Sequence, residues 1–142
     1  MDVRTLTPQQ SVGPQITLED VAALKAAGFT TLINNRPDEE IVVTGGPSSE
    51  AVAAAAEEAG LSYHYVPIPG AGFGPEQVYA MRDLIELAEG PVFAYCRSGT
   101  RSSNVWAICM AGSMPVDEII AAGRAGGYEL SGMGALLERR LD

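Results

Sequence analysis

One lysine, one histidine and two cysteines are all that 142 residues offer toward a cationic surface or a metal cage, and each scarcity excludes something. With Lys25 alone against a net charge of −9, the chain has no basic patch to follow a phosphate backbone, which argues against a nucleic-acid partner. Two cysteines and His64 make no zinc set, and no other metal or cofactor is implied. No apolar run reaches the ~18 residues of a membrane span, and no basic, apolar, small-residue leader opens the chain. The expectation is a cytoplasmic protein without membrane association. A disulfide is not expected either. If a helix begins near Ser102, Cys109 lies about 10 Å further along its axis, beyond the roughly 4.4–6.8 Å that a bridge allows between Cα atoms. Cys109, between Ile108 and Met110, reads as core packing rather than a resolving thiol.

What remains is a globular composition, 46% hydrophobic and 19% charged, consistent with a single domain over residues 1–142. Two short strands, Val3 to Leu6 and Ser11 to Val12, flank Pro8. Thr17 with Asp20 three residues on makes a capping-box variant, and Leu18, Val21, Ala22 and Leu24 give one apolar face before Gly28 stops the helix. Thr30 to Asn34 reads as a buried strand. A loop through Arg36-Pro37-Asp38 and Gly45-Gly46-Pro47 leads to a helix from Ser48 to Ala59, closed by Gly60. A strand at Ser62 to Val66, a loop from Pro67 to Gly74 and a helix from Pro75 to about Ala88 follow. A strand ending at Tyr95 precedes a helix from Ser102 to Ala111, and two short helices, Pro115 to Ala122 and Gly132 to Arg140, close the chain. Alternating strands and helices predict an α/β fold with a central, mainly parallel sheet covered on both faces. Ligands then belong beyond the carboxyl ends of the strands.

Cys96 falls at that end. The run Tyr95-Cys96-Arg97-Ser98-Gly99-Thr100-Arg101-Ser102 joins an apolar strand to a helix, where consecutive backbone N–H groups can curl around one anion at the positive end of the helix dipole. Gly99 removes a crowding Cβ, Ser98, Thr100 and Ser102 carry hydroxyls, and Arg97 and Arg101 add permanent charge with fork geometry. Such surroundings favour the nucleophilic thiolate of Cys96 over an inert buried thiol. Cys96 is therefore the candidate catalytic residue, and Arg97 through Ser102 are the candidate anion-binding residues.

The loop resembles that of rhodaneses, sulfurtransferases whose active loop often reads Cys-Arg-x-Gly-x-Arg-Ser. The stretches Gln15-Ile16-Thr17-Leu18-Glu19-Asp20 through Gly28-Phe29, Leu32-Ile33-Asn34-Asn35-Arg36-Pro37-Asp38 and Tyr63-His64-Tyr65-Val66-Pro67-Ile68 resemble the compact dual-specificity-phosphatase fold instead. Over residues 10 to 135 the chain is similar to a bacterial family of phosphatase-fold proteins with a rhodanese-like loop, found alone or fused to metallo-β-lactamase-type persulfide dioxygenases. The resemblance implies a protein-tyrosine-phosphatase-like architecture, with a rhodanese-like one as the alternative. It also implies a small anionic sulfur donor, a thiol or sulfite acceptor, and a persulfide dioxygenase as a partner.

Spacing separates the two chemistries. Tyrosine phosphatases keep five residues between cysteine and arginine, whereas four separate Cys96 from Arg101. Tyr95 stands where phosphatases usually have histidine, and Pro69 to Gly74 holds no aspartate to protonate an alkoxide. The expected activity is sulfane-sulfur transfer from thiosulfate or a small persulfide through a Cys96 persulfide. The alternatives are a cysteine-dependent phosphatase and a non-catalytic oxyanion-binding or redox-sensing module. His64 reads as a hydrogen-bonded structural histidine rather than a base. Arg36 either points into the same crevice or pairs with Asp38 or Glu39, and Tyr95 either shapes the pocket or packs.

Overall fold

The computed structural model describes residues 1–140 and contains a five-stranded sheet in the order β1-β2-β5-β3-β4. The strands are β1 (Arg4–Thr7), β2 (Gln10–Gly13), β3 (Thr31–Asn34), β4 (Ser62–Tyr65) and β5 (Val92–Tyr95). The β1–β2 hairpin is antiparallel, and β2, β5, β3 and β4 run parallel. The helices are α1 (Leu18–Ala26), α2 (Asp38–Thr44), α3 (Ser49–Ala59), α4 (Pro75–Leu87), α5 (Thr100–Met110), α6 (Val116–Ala125) and α7 (Gly134–Arg140). A 3-10 turn, Ser131–Met133, precedes α7.

Strand alternation splits the core into two layers, because successive side chains leave opposite faces of the sheet. Phe93 and Tyr95 pack with Leu32, Ile16, Val21 and Leu24 and with Val52 and Ala56 of α3. Val92 and Ala94 face the other way, into the layer formed by Met81, Val105, Trp106, Ile108, Ile119 and Leu137. All four β5 residues are buried, as expected of a central parallel strand covered on both faces. Register aligns Gly13, Tyr95, Asn34 and Tyr65 across four strands. The residues that follow them therefore share one edge of the sheet.

The Thr17–Asp20 capping box forms as predicted, with Thr17 N–H donating to Asp20 Oδ2 at 2.9 Å. Helix α1 presents a narrower apolar stripe than expected: Val21 and Leu24 are buried, while Leu18 and Ala22 are exposed. Its cover is α3, which needs only one stripe of contact. Strand β1 is shifted one residue along from the predicted Val3 to Leu6, and β2 extends the predicted Ser11 to Val12 by one residue at each end. Helix α6 continues to Ala125, past Gly123, because a Cβ at 123 would strike Leu130 and the missing one lets that chain pass. The segment read as a loop after Pro37 contains α2. Three acidic residues, Asp38, Glu39 and Glu40, occupy its first turn, where the helix dipole favours negative charge, and Gly45 ends it. Helix α5 begins at Thr100, two residues before the expected Ser102.

Candidate active site

Because α5 starts at Thr100, the turn from β5 into the helix is only Cys96 to Gly99. Gly99 caps the helix with φ 93°, a left-handed conformation that glycine accepts without penalty. A Cβ there would collide with the Tyr128 hydroxyl and lie 2.8 Å from Tyr128 Cζ, so space demands glycine as well. The Gly99 N–H donates to Cys96 Sγ at 3.1 Å, closing a tight ring over the sulfur. The chain that leaves β2 holds the ring from behind: Cys96 N–H donates to Gly13 O at 3.4 Å, and Gln15 N–H to Arg97 O at 3.2 Å. Cys96 is fully buried while Arg97, Ser98 and Thr100 are exposed, which puts the thiol on the floor of the cradle and those residues on its rim.

The predicted site residues divide into three groups. Cys96, Gly99 and Arg101 meet around the sulfur. Arg97 faces solvent and makes no ion pair among the described residues. The hydroxyls of Ser98 and Thr100 bond to each other at 3.0 Å instead of turning inward. Ser102 is buried and donates to Asn35 Oδ1 at 2.8 Å, so its hydroxyl holds the scaffold.

Arg101 is held by a residue absent from the candidate list. Nη1 and Nη2 donate to the two carboxylate oxygens of Glu40 at 2.7 and 2.8 Å, and Nη1 also donates to Ile68 O at 2.7 Å. This end-on grip consumes three of five guanidinium donors. It leaves Nε–H and one Nη2–H, the pair on the adjoining edge, for a ligand. The Glu40 hydrogen bond foremost, against burial, and then the charge of Cys96 push the Arg101 pKa up, so the guanidinium stays protonated. The Arg101 hydrogen bond, against burial and with help from Arg36, holds the Glu40 carboxyl below its usual range. Glu40 is thus a fixed anion and a poor proton donor.

Arg36 does reach the crevice, but its ion-pair partner is Glu40 at 3.2 Å, not Asp38 or Glu39. Gln15 accepts from its Nη1 at 3.1 Å and Thr44 from its Nη2 at 2.9 Å. Both acidic neighbours were closer in sequence. One helical turn of α2, however, carries the third residue to the same face. Asn35 is a second omission. It is fully buried, and its Nδ2 donates to Val66 O at 2.9 Å while its N–H donates to Tyr95 O at 2.8 Å. Tyr95 packs rather than lining the site: it stacks on Phe93 in the α1–α3 layer, and burial pushes its hydroxyl pKa far up. His64 is half-buried at another place, lining a cavity of about 340 Å³ with Lys25, Thr30 and Leu87, and it makes no side-chain hydrogen bond among the described residues. The expected hydrogen-bonded role is therefore not realised. No disulfide joins Cys96 to Cys109, in line with the helix spacing.

Among known protein families, residues 2–113 match the model described as the phosphatase-like domain of Beta-lactamase hydrolase-like protein. The chain belongs to that family. Named relatives of this phosphatase-like domain include Beta-lactamase hydrolase-like proteins of Agrobacterium fabrum strain C58, 31% identical over 92% of this chain, and of Xylella fastidiosa strain 9a5c, 31% identical over 99%. The matches cover 30% and 32% of those proteins, so the chain spans about a third of the length of the curated relatives it matches. A solved structure from Neisseria meningitidis, provisionally named a phosphatase, is 34% identical, covers 99% of both chains and superposes with a TM-score of 0.82. Tk-PTP in its active form shares the fold, with a TM-score of 0.73 at 16% identity over 99% of this chain and 95% of its own. The architecture is therefore phosphatase-like α/β, and the rhodanese-like alternative is not needed. These neighbours fit the cysteine-dependent phosphatase alternative better than sulfur transfer, which none of their descriptions mentions. Among the described residues no helix is long and apolar enough to cross a membrane.

Proposed function

We propose that this phosphatase-fold domain is a cysteine-dependent group-transfer enzyme acting on small anions, and that its cargo is sulfane sulfur. One observation carries the reading: the carboxylate that reaches the cysteine loop, Glu40, is bound by two arginines and held ionised. A carboxylate held in this way supports a reaction whose leaving group needs no proton. Sulfite and thiolates meet that condition, whereas alkoxides do not.

In the proposed cycle the Cys96 thiolate attacks the outer sulfur of thiosulfate or a persulfide. The new Cys96 S–S bond forms as the donor's S–S bond breaks, and sulfite or a thiolate leaves with the electron pair. A thiol or sulfite acceptor then attacks the outer sulfur of the Cys96 persulfide, and Cys96 leaves as thiolate. Gly99 N–H and the free edge of Arg101 stabilise the negative charge on the sulfur and on the donor's oxygens. A hollow of about 280 Å³ beside the loop, lined by Arg36, Glu40, Val43, Thr44 and Arg97, has room for the rest of a donor. Exposed Arg97 attracts its charge. In the longer relatives the remainder of the protein would supply a partner, and a persulfide dioxygenase fits the persulfide formed on a thiol acceptor.

A second reading is favoured by the likeness to phosphatases and by the two parallel donors left on Arg101, which suit a phosphate as well as a sulfonate edge. Without a proton donor it would be confined to aryl phosphates. Intact-mass measurement after parallel incubation with thiosulfate, glutathione persulfide and an aryl phosphate tests both readings. Sulfur transfer predicts a gain of about 32 Da that is absent in Cys96→Ser. A gain of about 80 Da from the aryl phosphate, with none from the sulfur donors, replaces it with the phosphatase reading.

A further inference from the structure

Tyr128 touches the cysteine loop from outside. It lies beyond residues 2–113, on the segment between α6 and the 3-10 turn, and its hydroxyl donates to Ser98 O at 3.0 Å. The acceptor's identity matters. Ser98 C=O and Gly99 N–H belong to one peptide unit, which is trans, so the two groups point in opposite directions across a rigid plane. Tyr128 holds the carbonyl end outward, while the N–H end points inward to Cys96 Sγ at 3.1 Å.

We propose that Tyr128 is a positioning residue that acts through the Ser98–Gly99 peptide, keeping its N–H aimed at the Cys96 sulfur. The peptide needs such a latch. Glycine accepts φ of either sign at little cost, so with Gly99 at φ 93° the plane can rotate unless its carbonyl is held. Rotation would turn the carbonyl oxygen toward the thiolate and replace attraction with repulsion. A hydrogen bond to the carbonyl also polarises the peptide and makes its N–H a better donor, which adds to the geometric effect. The surroundings fit this role. The Tyr128 ring packs onto Gly99 where a Cβ would intrude. Its segment is tied to β1 by Arg4 Nη1 donating to Gly126 O at 3.1 Å. Burial first, then the Cys96 charge and Asp2, opposed by Arg4, raise the Tyr128 pKa, so the phenol keeps its proton for Ser98 O.

The inference rests on Cys96 as nucleophile but not on the identity of the cargo, so its test uses no sulfur or phosphate donor. The charged and titratable groups that interact with Cys96 are Arg101 from α5 and Tyr128, and Arg4 and Asp2 in turn interact with Tyr128. Tyr128→Phe keeps the ring and removes only the hydroxyl. Two readouts are compared with the parent protein: the pH dependence of Cys96 alkylation by iodoacetamide, and the amide proton shift of Gly99 in 15N-resolved NMR spectra. The expected result is an alkylation midpoint at least half a pH unit higher and an upfield move of the Gly99 amide proton, with the spectrum of the β-sheet otherwise retained. An unchanged Gly99 amide with an unchanged alkylation profile overturns the proposal. Should Cys96 prove too enclosed to alkylate in both proteins, the Gly99 shift decides alone. If Tyr128→Phe disturbs the fold, Arg4→Ala, which loosens the same segment without touching the loop, must produce the Gly99 shift in milder form; failure to do so also overturns it.

Discussion

Glu40 grips Arg101 end-on, Oε2 accepting from Nη1 at 2.7 Å and Oε1 from Nη2 at 2.8 Å, across 61 residues of sequence. The grip fixes which edge of the guanidinium faces the sulfur. It also explains why a seven-residue helix lies beside the loop: α2 carries Glu40 on one face, with Arg36 preceding it and Thr44 closing the turn around the Arg36 side chain.

Removing the grip should therefore misaim Arg101 without removing its charge. Glu40→Ala is expected to lower turnover about 10²-fold, the typical cost of losing one well-placed transition-state donor. Steady-state kinetics with the active donor checks this, and near-parental turnover would show that Arg101 aims itself.

The same carboxylate sets a pH dependence. Its pKa in the folded protein is lowered from the ordinary 4.5, first by the Arg101 hydrogen bond. A lowered folded pKa means the stabilisation is complete above the ordinary value and is lost as the pH falls through the depressed one. Thermal midpoints of the parent and Glu40→Gln should differ at neutral pH and converge well below pH 4.5. Parallel curves down to acid unfolding would exclude Glu40 as the titrating group.

Ser102→Ala removes the hydroxyl that donates to the buried Asn35 Oδ1. Leaving a buried acceptor unsatisfied costs about 1–3 kcal/mol, so urea unfolding should show a loss in that range. Activity should fall too, because Asn35 ties the end of β5 to Val66, and Ser102 ties both to the first turn of α5. A stability change within a few tenths of a kcal/mol would mean that water replaces the hydroxyl.

His64 has its pKa lowered by burial from the ordinary 6.5. The unfolded chain therefore takes up this proton at a higher pH than the folded one. Stability should begin to fall as the pH drops below about 6.5 and continue to fall until the folded pKa is passed. His64→Gln should flatten that part of the profile while leaving Cys96 chemistry intact, since His64 lies away from the loop. A catalytic defect in His64→Gln would contradict its placement.

Local chemistry made much of this legible. The Thr17–Asp20 box, glycines 28 and 60 as helix stops, Pro75 at the start of α4 and the fully apolar β5 follow from caps and periodicity within a few residues of each other. The tight turn at Cys96 was legible for the same reason: a strand end, a glycine and an arginine on the following helix lie in one short run. Helix α2 was not, because prolines and glycines bracket a segment only seven residues long, and turn-forming residues outweigh a short helical pattern. The sequence places the hydroxyls of Ser98, Thr100 and Ser102 at the anion because it shows which donors exist, not which partners engage them. In the folded chain nearer acceptors do.

The amino acids in order were sufficient to predict a layered α/β chain with one cysteine at a strand-to-helix turn, since these depend on backbone preferences and charges a few positions apart. Only the tertiary structure could bring Glu40 onto Arg101 from 61 residues away and Tyr128 onto Ser98 from 30. Such pairings depend on how the layers pack against one another, and a polar side chain carries no local sign of the distant group that will satisfy it.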